Sequence, residues 1–416
     1  MDKIAVFPCD SEIALEIHRA FVGIKNVQLI NLSSNATSNI EGCYTNFPHV
    51  DNPNFISVLN EFVKKEKINF IFPANDAVIM CLSQHNINCQ IIGSSAKTCQ
   101  ITRSKLQTYK LLSNVLLTPK LFNVSNAKFP CFLKPEIGQG SKGTFIAQNT
   151  KDLEFYLNKD PSLLILEYLP GEEFTVDCFT DFNRQLRCCC PRKRCRISNG
   201  ISIETHNVEQ INKFLKIALL INKKLELNGA WFFQVKRNTF NHLTLLEVSP
   251  RIGGSSGLTR IQGINLPVLS YYNQLGILVD MHGNTFDAIL SRNLSNKYKL
   301  NITYDHVYID FDDCIYINNK LNSNAIKFLV EAINKDIKIH LITKHISGNI
   351  RIKLIELKIL DLFDEVIAIK PEENKSDYII WKNAIFIDDS FKERQLVSKS
   401  HKIPVFSVDA IEGLLK

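Results

Sequence analysis

The sequence predicts an α/β protein of three domains, and three observations carry that reading. Over the first hundred residues short apolar strands alternate with helical stretches, which argues for a parallel sheet with crossover helices. Between residues 129 and 181 strands and hairpins dominate, as in an α+β domain. Beyond a polar stretch, five strand-like runs separated by helical spacers describe a small doubly wound sheet. A chain of 416 residues is too long for one ordinary core, because domains run to roughly 100–200 residues.

In order, the first domain reads as a strand at 3–7, a helix at 12–21, a strand at 27–30, a helix at 55–66 and a strand at 68–72. No G-x-G-x-x-G follows the first strand, so dinucleotide binding has little support. A run at 90–93 leads to a helix at 104–112 and then to a glycine-rich turn. Strands at 163–166 and 174–177 flank Pro170-Gly171, residues 206–224 return to helix, and 231–236 and 243–248 form an antiparallel pair. The last strands are 307–309, 338–342, 366–369, 384–387 and 404–407. The expected boundaries are 1–100, 101–290, a linker at 291–304 and a final domain at 305–416.

A hydrophobic fraction of 45% and a charged fraction of 22% are those of a soluble globular protein. The start, Met1-Asp2-Lys3-Ile4, lacks the basic and long apolar regions of a secretory signal, and no apolar run approaches a membrane span, so a cytoplasmic protein without a membrane partner is expected. The 12 cysteines are scattered, several in apolar segments, which suits buried free thiols in a reducing compartment. Cys188-Cys189-Cys190 and Cys195 are the exception, but adjacent cysteines alternate faces on a strand, and no zinc spacing is present. The net charge of +7 is spread widely and gives no reason to expect nucleic acid. The one dense basic cluster, Arg192-Lys193-Arg194, is better assigned to an anion site.

Two regions carry phosphate chemistry. Val307-Tyr308-Ile309-Asp310-Phe311-Asp312-Asp313 and Ala384-Ile385-Phe386-Ile387-Asp388-Asp389 are apolar strands running into paired acids. Gathered carboxylates repel and are costly to desolvate, so they imply a counter-ion, most simply Mg²⁺. Upstream, Lys134 precedes Gly138-Gln139-Gly140-Ser141-Lys142-Gly143, whose glycines let backbone amides approach phosphate closely. The segment Glu167-Tyr168-Leu169-Pro170-Gly171-Glu172-Glu173 follows, then Arg192 and Arg194, Gln234, and Glu247-Val248-Ser249-Pro250-Arg251.

In that order these segments resemble the ATP-grasp superfamily, especially its carbamoyl-phosphate-synthetase and biotin-carboxylase-like branch, over residues 1–290. The resemblance implies an α/β domain preceding an ATP-grasp domain. Lys105 and Lys134 would bind nucleotide phosphates, with Arg192 and Arg194 assisting, and Gly138, Gly140 and Ser141 would belong to the loop that closes over them. Glu167 to Leu169 would line the adenine hinge and Glu173 would accept the ribose hydroxyls. Glu247 would be the principal Mg²⁺ ligand with Gln234 near it, Arg251 would steady the transferring phosphate, and Gly253 to Gly257 and Arg260 would lie near the acceptor pocket. Ser249 departs from the family's usual Asn, and its hydroxyl is a weaker metal ligand.

The four elements Asp310-x-Asp312, Thr343, a lysine at 370 or 375, and Asp388-Asp389 resemble the haloacid dehalogenase-like phosphohydrolases, here without room for a large cap. That resemblance makes Asp310 the nucleophile, Asp312 the acid/base, Thr343 and Lys375 the phosphoryl ligands, and Asp388, with Asp389, a Mg²⁺ holder beside Asp310 and Asp312. Lys375 is preferred to Lys370 because it opens a helix. The expectation is a bifunctional enzyme: an ATP- and Mg²⁺-dependent ligase, Mn²⁺ being an alternative ion, joining a small-molecule carboxylate to an amine-type acceptor, fused to a phosphatase acting on a phosphorylated substrate. A bicarbonate-activating module and an inactive ATP sensor regulating the phosphatase are the alternatives, and homo-oligomerisation is left open.

Overall fold

The computed structural model describes the chain except residues 37, 39, 41, 139, 294–297, 299, 346, 347 and 416. Gln139 of the glycine-rich turn and part of the expected linker thus lie outside the described residues. The chain divides into two compact units, Met1–Leu294 and Ser295–Lys416.

The first unit opens with a parallel sheet in which Asp2–Phe7 lies between Val27–Asn31 and Phe70–Pro73, with Gln90–Ile91 at the edge. Alternation decides which side chains go where. Ile4, Val6, Phe70 and Phe72 point to one face. Ala5, Phe7 and Ile71 point to the other, against Phe55, Leu59 and Val63 of the Phe55–Glu66 helix. On the first face sits Glu12–Phe21, which Ser11 caps through the Ala14 amide and which buries Ala14, Ile17, Ala20 and Phe21. Packed into the same cluster are Leu266, Val268, Leu269 and Tyr271 from a helix some 250 residues later, together with Phe179 and Ala230. The boundary expected at residue 100 therefore does not separate compact units: the N-terminal sheet has no private core on that face.

Next comes a six-stranded antiparallel sheet, ordered Leu243–Ser249, Gly229–Arg237, Glu173–Thr180, Leu186–Ser198, Ile201–Asn207, Ile289–Ser291. Val176, Cys178, Trp231, Phe233 and Leu245 bury one face against Phe214, Ala218 and Ile221 of the Asn212–Lys224 helix. Residues of the opposite parity, Glu173 and Gln234 among them, are left for the other face. A second antiparallel sheet, Leu121–Phe122, Leu164–Glu167, Cys131–Lys134, Phe145–Ala147, packs Cys131, Leu133 and Ile165 on Leu153 of the Thr150–Lys159 helix.

The second unit is a five-stranded parallel sheet in the order Glu365–Ala368, Lys338–Thr343, His306–Ile309, Ala384–Ile387, Val405–Phe406. Val307, Ile309, Ile339, Leu341, Ile385 and Ile387 enter one core, and Tyr308, Ile342 and Phe386 enter the other. A strand buried on both faces has no polar period, which is why these segments read as continuous apolar runs. Among the described residues no helix is long and apolar enough to cross a membrane.

Candidate functional site

In the first unit a cavity of about 240 Å³ is lined from two sheets. Phe132, Lys134, Ile146, Leu166 and Glu167 come from the smaller sheet, and Glu173, Arg194, Gln234, Lys236 and Glu247 from the polar face of the larger one. Lys105, Gly138, Gly140, Ser141 and Leu169 line it as well. Of the sequence-predicted nucleotide and metal residues of this half, all but Arg192 line this one cavity.

Two of its cations, Lys105 and Lys134, are held far from water. Lys134 is 7% exposed; its Nζ donates to the Tyr109 hydroxyl at 2.8 Å, and that hydroxyl donates to the Leu246 carbonyl at 2.8 Å. Among the described residues, Lys105 Nζ reaches the Glu136 and Gly138 carbonyls, both at 3.4 Å. Among the described residues neither ammonium has a carboxylate ion pair. Burial, reinforced by the neighbouring Lys105 cation, pushes Lys134 down to about 8, and burial lowers Lys105 as well. Two desolvated ammonium groups facing a cavity form a cradle for a polyanion. Gln234 and Glu247 stand opposite one another in the antiparallel register, which sets an amide and a carboxylate side by side on the cavity wall. Both are oxygen donors of the kind Mg²⁺ takes, so the residues fit that ion.

Glu173 is bound by Arg194 and approached by Lys236 Nζ at 3.6 Å. Arg194 also donates to Gln234 Oε1 at 3.3 Å and to the Gly200 carbonyl at 2.7 Å. Gly200, at φ +76°, backs directly onto the glycine turn, where a Cβ would lie 2.3 Å from the Gly140 carbonyl carbon. Only glycine fits this approach.

Arg192 stands elsewhere. Two residues further up the same strand, it is 2% exposed, doubly hydrogen-bonded to Asp177 at 2.9 Å and bonded to Ser255 Oγ at 2.5 Å. Its charge is already matched inside the protein, so it ties the Gly253–Gly257 turn to the sheet instead of lining that cavity. Arg251 is likewise engaged: its Nε and Nη2 reach Asp76 at 2.8 and 2.5 Å, and Ser249 Oγ donates to the same carboxylate at 2.8 Å. Burial raises Asp76, but Arg251 outweighs it and holds the carboxyl below its ordinary range. Asp76, Ser249, Arg251, Arg103 and Thr102 line a smaller chamber of about 60 Å³ that shares Lys105, Gly138, Gly140 and Glu247 with the main cavity. Arg260 is bound by Glu16 at 2.6 Å.

Asp76 and Tyr109 escaped the sequence reading. Asp76 had a signal: Phe70–Pro73 runs into Asn75-Asp76 as the C-terminal strands run into their acids. Tyr109, inside a helix, had none, since its role comes from the meeting of that helix with Leu246.

In the second unit, Asp310, Thr343 and Asp388 lie at the carboxyl ends of three adjacent strands, where open sheets place their ligands. Lys375 Nζ lies 2.8 Å from Asp310 Oδ1 and 2.6 Å from Asp388 Oδ2, whereas Lys370 is exposed. Burial, opposed by Lys375 and reinforced by Asp388, pushes Asp310 up to about 7. Thr343 Oγ1 is buried without a hydrogen-bond partner among the described residues. Asp310, Cys314 and Asp389 bring ligand atoms within 4.8 Å of one another. The Asp388 carboxylate is occupied by Lys375 and the Ser390 amide, and Asp312 is hydrogen-bonded to His345 Nδ1 at 2.8 Å. The two carboxylates suit Mg²⁺, and the thiol does not.

Comparison with known proteins supplies an independent view. A sequence family described as "ATP-grasp in the biosynthetic pathway with Ter operon" matches residues 159–295. A D-alanine–D-alanine ligase of Petrotoga mobilis is 30% identical over 92 residues, 20% of this chain and 31% of the relative. The carbamoyl phosphate synthase large chain of Clostridium botulinum is 26% identical over 224 residues, 47% of this chain and 20% of the relative. The chain thus spans about a third or less of these curated relatives. Among solved structures, N5-carboxyaminoimidazole synthetase of Staphylococcus aureus with ADP superposes with TM-score 0.58 at 14% identity, over 70% of this chain and 82% of the other. The biotin carboxylase domain of Hydrogenobacter thermophilus 2-oxoglutarate carboxylase, with MgADP and bicarbonate, gives 0.57 at 14%, over 68% and 71%. An L-amino acid ligase of Bacillus licheniformis gives 0.54 at 17%, over 66% and 74%.

Proposed function

We propose that this chain, with its ATP-grasp fold, is an ATP-dependent carboxylate–amine ligase in residues 1–294, joined to a phosphatase in residues 295–416. The observation that carries the first half is the pair of desolvated lysines, Lys105 and Lys134, facing Glu247 across one cavity. A polyanion would match the two ammonium groups and a divalent cation the carboxylate. The ligases among the proteins with which it compares support the same reading.

In this reading Lys134 and Lys105 hold the phosphate oxygens, the Gly138–Ser141 turn covers them, and Phe132, Ile146 and Leu166 take the base. Bound Mg²⁺, held by Glu247 and Gln234, supplies neutralisation of charge on the transferring phosphoryl group. A substrate carboxylate oxygen forms a bond to the γ-phosphorus as the bond to ADP breaks. The amine nitrogen then bonds to the acyl carbon as the carbon–oxygen bond to phosphate breaks, and the nitrogen's surplus proton passes to the departing phosphate or to solvent. In the second unit the Asp310 carboxylate forms the bond to phosphorus while the ester oxygen leaves with a proton from Asp312, which His345 orients. Water then attacks the phosphorus as its bond to the Asp310 oxygen breaks, a proton of that water passes to Asp312, and inorganic phosphate leaves with the Asp310 carboxylate restored.

ADP and phosphate release measured separately, with MgATP and a panel of carboxylates and amines, tests both halves. ADP formation should require a carboxylate and vanish in Glu247→Gln, and hydrolysis of a phosphate ester should vanish in Asp310→Asn while ADP formation persists. ATP binding without carboxylate-dependent turnover would favour the sensor reading, which the engagement of Ser249 and Arg251 by Asp76 keeps in view.

A further inference from the structure

We propose a transition-metal site of the zinc class at Cys195, Glu204 and His206, which shares no residue with either phosphate site. The residues sit on the paired strands Leu186–Ser198 and Ile201–Asn207. The register runs His206 opposite Lys193, Thr205 opposite Arg194, and then Glu204 opposite Arg196. Cys195 is therefore the extra residue of a β-bulge, and a bulge re-aims its side chain. Glu204 and His206, two apart, project to one side of their strand. The outcome is a sulfur, a carboxylate oxygen and an imidazole nitrogen all within 4.8 Å of one another. His206 Nε2 lies 3.3 Å from a Glu204 oxygen.

The objection that neighbouring cysteines diverge applies to Cys188, Cys189 and Cys190 and does not touch this cluster. Its nitrogen and oxygen ligands come from the next strand, with a spacing no zinc signature contains. The donor set selects the metal: a thiolate and an imidazole disfavour Mg²⁺ and Ca²⁺ and suit Zn²⁺ or Co²⁺, with a fourth position left to water. Cys195 is the one exposed cysteine among those described, so an ion reaches it from solvent. On binding, the Sγ–metal bond forms as the thiol proton passes to solvent. The site clamps together two strands whose hairpin ends at Asn199-Gly200, the turn that backs onto Gly140.

Co²⁺ titration of the reduced, metal-stripped full-length protein tests the site. One equivalent should produce a thiolate-to-cobalt charge-transfer band in the near ultraviolet and raise the melting temperature. Cys195→Ser should abolish the band, and His206→Asn should weaken cobalt binding by at least about tenfold. Cys81→Ser should change neither. Circular dichroism and the melting curve without metal establish that each variant is folded. A band that survives in Cys195→Ser, or no saturable binding to the folded wild type, overturns the site.

Discussion

Lys134 has a phenol and a carbonyl where a buried ammonium ordinarily has a carboxylate. Burial and the adjacent Lys105 bring it to about 8, so in the free protein it sheds its proton as pH rises through that value. Phosphate favours the protonated form and raises the bound-state value. Nucleotide affinity is therefore full below about pH 8 and falls above it, by up to about tenfold per unit. Calorimetric titration of MgADP from pH 7 upward should show this decline in the wild type and little of it in Lys134→Arg, whose guanidinium stays charged. A flat wild-type profile would remove Lys134 from phosphate binding. At this scale the sequence was legible as to which residues gather: the lysines and glycines line one cavity, and the acids follow the ends of adjacent apolar strands. It was opaque wherever charge was matched internally. Arg192 and Arg194 look equivalent in the chain, yet Asp177 neutralises the first and the cavity receives the second.

The glycine turn and the hairpin tip form one element in function, since Gly200 has no room for a side chain against Gly140. Gly200→Ala adds a Cβ at positive φ, a cost of about 1–2 kcal/mol, and pushes on the turn as well. We expect MgADP to bind roughly tenfold more weakly, with the phosphatase activity unchanged. Equal affinity in the two proteins would separate hairpin from turn. Elements with a clear period or a double-sided apolar run were readable, including all five strands of the C-terminal sheet. Several helices were not, Gly257–Ile261 and Leu266–Gln274 among them. Asp76–Ser83 is nearly all apolar and shows no stripe, and Ala96–Arg103 buries threonines in place of aliphatic residues. Thr150–Lys159 lies among strands, and its sign was the Asn149 cap on the Asp152 amide. The bulge at Cys195 is a property of pairing, and pairing register is not written in either strand alone.

At the scale of the molecule, the cores decide what can stand by itself. Residues 295–416 contain two hydrophobic clusters of their own, so this piece expressed alone should unfold cooperatively in denaturant and retain any phosphatase activity. A piece comprising 101–294 should fail to fold, because Phe179, Ala230 and Leu269 complete their core with Ile4, Val6 and Ile17. A cooperative transition from that shorter piece would contradict the shared core. Three domains were expected because sequence shows where strands and helices change character. It does not show which apolar faces meet across 250 residues. The carboxylate of Asp76 also has a consequence for heredity. It ties the helix that follows the N-terminal sheet to Ser249 and Arg251, so a change at any one of the three is expected to call for a change at the others. A chimera that takes its first hundred residues from a relative must inherit the matching partners, or it leaves a buried arginine without its counter-charge.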